Sequence, residues 1–212
     1  MPDLSQLLII LPVLLFSLTI HEMAHAVTAD WYGDPTARRL GRVSLNPLVH
    51  LDPVGSVLLP LMLVIFQVPF VVGWAKPVPV NPANLKTHRR DFLVIAAAGP
   101  ASNIVLAIGA SVLLGAVPGG VGASEGIPGA LATFGFHALQ LNLLLAVFNM
   151  LPIPPLDGGN VLAGLLPAPL ATQYDRLIRP VGFLIVLALV YTDTLYMLIG
   201  PPMSLLMGWL LP

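Results

Sequence analysis

The pentapeptide His21-Glu22-Met23-Ala24-His25 lies inside an apolar stretch, residues 7–29, that is long enough to cross a membrane. Few folds tolerate that combination. Apart from the motif, the stretch is interrupted only by Pro12, Ser17, Thr19 and Thr28, and Asp30 closes it. An ionisable side chain at bilayer depth costs roughly 2.5–3.5 kcal/mol on insertion scales, and more by other measures. A helix places residues i and i+4 on one face, so His21 and His25 can grip one zinc ion together, and a divalent cation offsets the cost of burying them. Glu22, one residue along, can reach a water on that metal and take its proton. The competing reading is a pair of hydrogen-bonded core histidines with Glu22 held by a polar partner. In a chain with two glutamates and five histidines, the complete motif favours metal.

Hydrophobic residues make up 57% of the 212 positions and charged residues 9%, the balance of a polytopic membrane protein. A net charge of −1 gives no hint of nucleic-acid binding, and nine basic residues are too few to form a groove for it. With no cysteine, disulfides, thiolate zinc sites and thiol catalysis are also excluded. The first apolar stretch has no basic region before it and carries the motif, so it reads as a retained span rather than a signal peptide.

Further apolar stretches cover residues 54–72, 92–117 and 130–150, followed by a proline-interrupted C-terminal pair at 181–191 and 195–211, the last broken at Gly200-Pro201-Pro202. The expected fold is an all-α polytopic membrane protein, a single membrane-embedded domain over residues 1–212. It has a three-helix catalytic core at about 7–165, a membrane hairpin at about 38–80, and C-terminal hydrophobic helices at about 171–211. Charge placement supplies the hairpin. The nine basic residues fall in three groups: Arg38, Arg39 and Arg42; Lys76, Lys86, Arg89 and Arg90; Arg176 and Arg179. The positive-inside rule puts all three on the cytosolic side, which a simple crossing by residues 54–72 would prevent. That stretch therefore enters and returns, with any irregular backbone covered by protein or lining a wet cavity. Residues 38–45 and 71–80 read equally as irregular interfacial loops or as short β-strands near the site. As strands they would offer an edge to an extended peptide.

A catalytic zinc ordinarily has three protein ligands and one open position. His50, Asp52, His88 and Asp91 lie in polar, basic segments and read as solvated surface, while His137 sits near the far end of its span. Asp157 is the strongest candidate. It follows Asn149-Met150-Leu151-Pro152-Ile153-Pro154-Pro155-Leu156, where prolines forbid a regular helix, and precedes Gly158-Gly159, which permit tight turns. The alternative role for Asp157 is to cap a following helix.

His21-Glu22-x-x-His25 in a first core helix, Gly99-Pro100-Ala101-Ser102-Asn103 in a second, and Asn149 with Asp157-Gly158 after a third resemble the site-2 protease family of intramembrane zinc metalloproteases. The resemblance spans about residues 7–165, in the family's order. It implies that His21, His25 and Asp157 ligate one Zn2+ per chain, that Glu22 is the general base, and that Asn149 helps bind substrate or steady the oxyanion. Gly99, Pro100 and Asn103 are taken as packing residues, and Asn142 as a structural partner. The chain resembles the compact branch without PDZ or CBS domains. The implied substrates are transmembrane proteins or peptides, in a prokaryotic cell membrane with the site open to the cytosolic side. Two rival classes remain: a metal-binding membrane transporter, against which the one-sided placement of ionisable groups argues, and a protease-like protein that binds membrane helices without cutting them.

Overall fold

The computed structural model describes residues 4–65, 74–123 and 125–212. The apolar stretches fold as helices: α1 (Leu4–Trp31), α2 (Thr36–Arg39), α3 (Leu59–Ile65), α4 (His88–Ala116), α5 (Gly126–Asn149), α6 (Asp157–Leu165), α7 (Ala168–Leu177), α8 (Gly182–Tyr191) and α9 (Thr194–Leu210). Three of them, Leu8–Trp31 within α1, α4 and α5, are long and apolar enough to span a bilayer. The protein is thus an all-α polytopic membrane protein. The segment Ala168–Tyr191 meets α9 at a bend of 82°.

The three spans pack through small residues, as helices do where lipid supplies no hydrophobic drive between them. α4 and α5 close over Ala107, Ala110, Leu114, Ala132, Leu139 and Leu143. Gly135 lets α5 approach so closely that a Cβ there would lie 2.9 Å from the Leu114 side chain. α1 packs against both α4 and α5, and it shares with α4 a buried contact of Ala29 and Ile95 with Leu85.

Beyond α1 the chain folds back under a buried carboxylate. Asp34, fully buried, accepts hydrogen bonds from the Thr36 amide and hydroxyl, from the Asn81 amide and from the Asn84 side chain. It thereby ties the end of α1 to the approach to α4. Burial alone would raise its pKa. The hydrogen bonds from Thr36, Asn84 and Asn81 outweigh that and hold it below the ordinary carboxylate value.

The two feet of the hairpin lie side by side. The Lys76 amide donates to the His50 carbonyl at 2.8 Å, the Trp74 amide to the Gly55 carbonyl at 3.2 Å, and the Ser56 hydroxyl to the Trp74 carbonyl at 2.8 Å. These contacts hold the His50–Ser56 segment against Trp74–Lys76. The described inner portion of the hairpin is a π-helical turn, Pro53–Leu58, running into α3. Arg42, only 4% exposed, stitches the feet together by donating to the carbonyls of Val49, Lys76 and Pro77.

Three expectations need correction. Neither 38–45 nor the described part of 71–80 forms a strand; residues 71–73 lie outside the described residues. Prolines 77 and 79 have no N–H to donate, and Arg42 occupies carbonyls that a ladder would use. The Pro201-Pro202 pair does not break α9, which runs on to Leu210. His50 and Asp91, expected to be solvated, are 2% and 6% exposed.

Candidate metal centre

His21 and His25 project from the C-terminal half of α1, one turn apart, and both are buried. Asp157 is the first residue of α6. Their donor atoms converge: His21 Nε2 lies 3.1 Å from His25 Nε2 and 3.1 Å from Asp157 Oδ2, and His25 Nε2 lies 3.4 Å from Asp157 Oδ2. Zinc bonds of ~2.0–2.1 Å at tetrahedral angles require ligand atoms about 3.3 Å apart. The triangle fits one face of such a site.

Hydrogen bonding fixes what these atoms offer. His25 Nδ1 is 2.7 Å from the Ile95 carbonyl, which can only accept, so Nδ1 carries the proton. His21 Nδ1 is 2.6 Å from Asn103 Oδ1. With each ring neutral, both Nε2 atoms present bare lone pairs to a carboxylate oxygen, and Asp157 Oδ2 is buried without a hydrogen-bond partner. Three electron-rich atoms at this spacing repel one another unless a cation sits between them. The residues therefore fit a metal ion. Second-layer acceptors on Nδ1 are the usual way of orienting such ligands.

Gly99 makes the space. A Cβ at this position would lie 2.4 Å from His25 Nε2 and 2.5 Å from His21 Nε2, so any side chain on α4 here would occupy the donor triangle. Pro100 sits inside α4, where its ring removes one backbone donor without ending the helix.

Asp157 is held from three sides. Gly158 and Gly159 tuck α6 against the backbone of Met150, Leu151 and Pro154, where a Cβ would come within 2.3–2.6 Å. At the other end of α6, Arg89 of α4 donates to the carbonyls of Ala163 and Leu166, a cation capping the negative end of the helix. From outside the core, the Tyr174 hydroxyl donates to the Pro152 carbonyl at 3.0 Å, and Arg179 donates to Asn160 at 3.1 Å. Gly182 seats α8 directly on the Pro154 carbonyl.

Glu22 is half-buried next to the pair, within electrostatic reach of His21, His25, Asp157 and His50. The structure brings together His21, His25 and Asp157, with Glu22 beside them. Asn149 stands apart in its bonding. Its amide donates back to the Leu145 carbonyl at 2.9 Å, and no hydrogen bond among the described residues ties it to the triangle. Sequence reading missed the parts played by Asn103, taken as packing, and by Ile95, whose backbone acceptor leaves no sequence signal. An amide buried in a membrane span was the available clue for Asn103.

Residues 125–189 match Peptidase family M50. Over 180 residues, covering 84% of the chain and 78% of the relative, the sequence is 38% identical to "Putative zinc metalloprotease YwhC" of Bacillus subtilis. It is 35% identical over 188 residues to "Putative zinc metalloprotease Rip2" of Mycolicibacterium smegmatis, covering 85% of the chain and 66% of that protein. A shorter match, 48% over 69 residues, covers 32% of the chain and 31% of "Putative zinc metalloprotease MJ0611" of Methanocaldococcus jannaschii. No solved structure gives a significant match.

Proposed function

This chain belongs to peptidase family M50, and we propose that it is an intramembrane zinc endopeptidase that cuts peptide bonds within or near the transmembrane segments of other membrane proteins. The observation that carries the proposal is the donor triangle that His21 and His25, on a helix of bilayer length, form with Asp157 at the start of α6. His25 lies six residues before Trp31, about 9 Å along the helix at ~1.5 Å per residue, so the chemistry takes place below the interface.

In this reading His21 Nε2, His25 Nε2 and an Asp157 carboxylate oxygen hold one zinc ion per chain. Bound there, zinc supplies Lewis acidity, which makes water nucleophilic near neutral pH and polarises the scissile carbonyl. Glu22 takes the proton of the attacking water on a carboxylate oxygen and delivers it to the leaving nitrogen. Asn149 spends one amide hydrogen on Leu145; the other is available to the oxyanion, as a preorganised donor should be. The site opens to the cytosolic side, where the positive-inside rule places Arg38, Arg39 and Arg42. Substrate must unwind locally, because helical hydrogen bonds shield its carbonyls.

The purified protein, incubated with a panel of single-span peptides, is expected to cleave some of them, to stop when a zinc chelator is added and to resume when zinc is restored. Metal bound without any cleavage across the panel would favour a transporter or a non-cleaving helix binder.

A further inference from the structure

A chain of amide hydrogen bonds runs from α5 to the metal-ligand candidate on α1, and its direction can be deduced. The Asn142 side-chain nitrogen donates to the Ala138 carbonyl at 2.9 Å. A backbone carbonyl can only accept, so this contact fixes which end of the Asn142 amide is nitrogen. Asn142 Oδ1 must then face away from Ala138, and it accepts from Asn103 Nδ2 at 2.9 Å. With Asn103 Nδ2 so placed, and also 3.4 Å from the Ser17 carbonyl, Asn103 Oδ1 points at His21 Nδ1. An oxygen there demands a proton on Nδ1 and leaves Nε2 bare.

We propose that Asn142 and Asn103 are positioning residues that set the His21 tautomer: a backbone carbonyl of α5 dictates, through two amides, that His21 Nε2 faces the metal with its lone pair. The relay is buried throughout, with Asn103 fully enclosed and Asn142 3% exposed, so water cannot substitute for a missing link. It also joins all three spans, since Ser17 and His21 lie on α1, Asn103 on α4 and Asn142 on α5. The other ligand lacks such a relay: His25 takes its orientation from the Ile95 backbone, which no side-chain substitution removes. Metal affinity should therefore be sensitive to residues at 103 and 142 through His21 alone.

The inference rests on the zinc reading, and the test separates the two. Zinc affinity is measured by competition with a chromophoric chelator on purified full-length protein, alongside the visible spectrum of the cobalt-substituted form. Asn103→Leu is expected to weaken zinc binding 10–100-fold, the usual cost of losing an outer-layer partner. Asn142→Leu leaves Asn103 free to rotate its amide and present nitrogen to His21, and should weaken binding several-fold with an altered cobalt spectrum. Asn103→Asp in the Asn142→Leu background, where either carboxylate oxygen accepts from Nδ1 and no Asn142 oxygen opposes the second one, should restore affinity to within a few-fold of the wild type. That rescue is not expected if residue 103 only fills space. Unchanged zinc affinity and cobalt spectra in both leucine variants, with zinc bound by the wild type, would overturn the relay alone. A wild type that binds no zinc would overturn the metal reading, and the relay with it. If Asn103→Leu does not fold, Asn142→Leu and Asn103→Asp in its background carry the comparison.

Discussion

Replacing Gly99 with alanine adds a single methyl group to α4, and the structure places that methyl 2.4–2.6 Å from His25 Nε2, His21 Nε2 and His25 Cε1. Ordinary carbon–nitrogen contact begins about 1 Å further out. The rings cannot swing aside cheaply, because Nδ1 of each is held, by the Ile95 carbonyl in one case and Asn103 in the other. Either those bonds break or α1 and α4 separate by about an ångström. Overpacking of this kind costs ~1–3 kcal/mol. The greater loss falls on the site: the methyl enters the space between donors that must stand about 3.3 Å apart to hold zinc. We expect Gly99→Ala to lower zinc affinity ~100-fold, which at 1.4 kcal/mol per decade corresponds to ~2.8 kcal/mol of clash that falls on the zinc-bound form in addition to the strain carried without metal. Chelator competition on protein in detergent measures the affinity, and a thermal scan of the metal-free form measures the strain. Gly109→Ala is the control, because a Cβ on the same helix at Gly109 meets nothing within 4 Å. It should leave affinity unchanged and match or exceed wild-type stability, since alanine favours helix by ~1 kcal/mol over glycine. Zinc binding by Gly99→Ala within threefold of the wild type would refute the reasoning.

Two further perturbations reach the site from outside the motif. Gly182→Ala places a Cβ 1.9 Å from the Pro154 carbonyl oxygen, so the loop leading to Asp157 must move. Zinc affinity should fall about tenfold or more while circular dichroism stays helical, whereas Gly200→Ala, with open space around it, should change neither. Asp34 supplies a pH signature. Its folded pKa lies below the unfolded value, so the stability it contributes is complete above that unfolded value, near 3.8, and is lost only as pH falls through the lower folded one. The Asp34 contribution to the thermal midpoint should therefore hold until the pH drops below about 4. Asp34→Asn should lower the midpoint at pH 7, since an amide nitrogen cannot accept from Asn81 or Thr36, and the gap between the two proteins should close in acid.

The helical spans were legible because membrane helices advertise themselves by length and apolarity. The spans at Leu8–Trp31, α4 and α5 end within a few residues of their apolar stretches. The proposed hairpin has a different origin: hydropathy alone would make residues 54–72 cross, and only the placement of the first two basic clusters argues for a return. The side-by-side feet agree with it. What the sequence hides is tertiary. Nothing in Gly99-Pro100 says that its glycine faces His21 and His25, because helix phase is set by packing against α1. His50 looked solvated because its neighbours are polar, yet its Nε2 is satisfied by the Ser44 carbonyl and its ring folds under the hairpin feet. The brace from Tyr174, Arg179 and Gly182 was equally invisible, since these residues reach Pro152, Asn160 and Pro154 from some twenty to thirty positions away. α9 survived Pro201-Pro202 because two lost donors are tolerable in a helix with other partners to lean on, which a pattern of helix breakers cannot express.

The central claim is that His21, His25 and Asp157 hold a metal and that Glu22 uses it. Glu22→Gln tests this most directly, in one preparation assayed for bound zinc and for cleavage of a single-span peptide. The account predicts zinc retained at the wild-type level of one ion per chain, with cleavage reduced to background. Continued cleavage by the Glu22→Gln protein would contradict it.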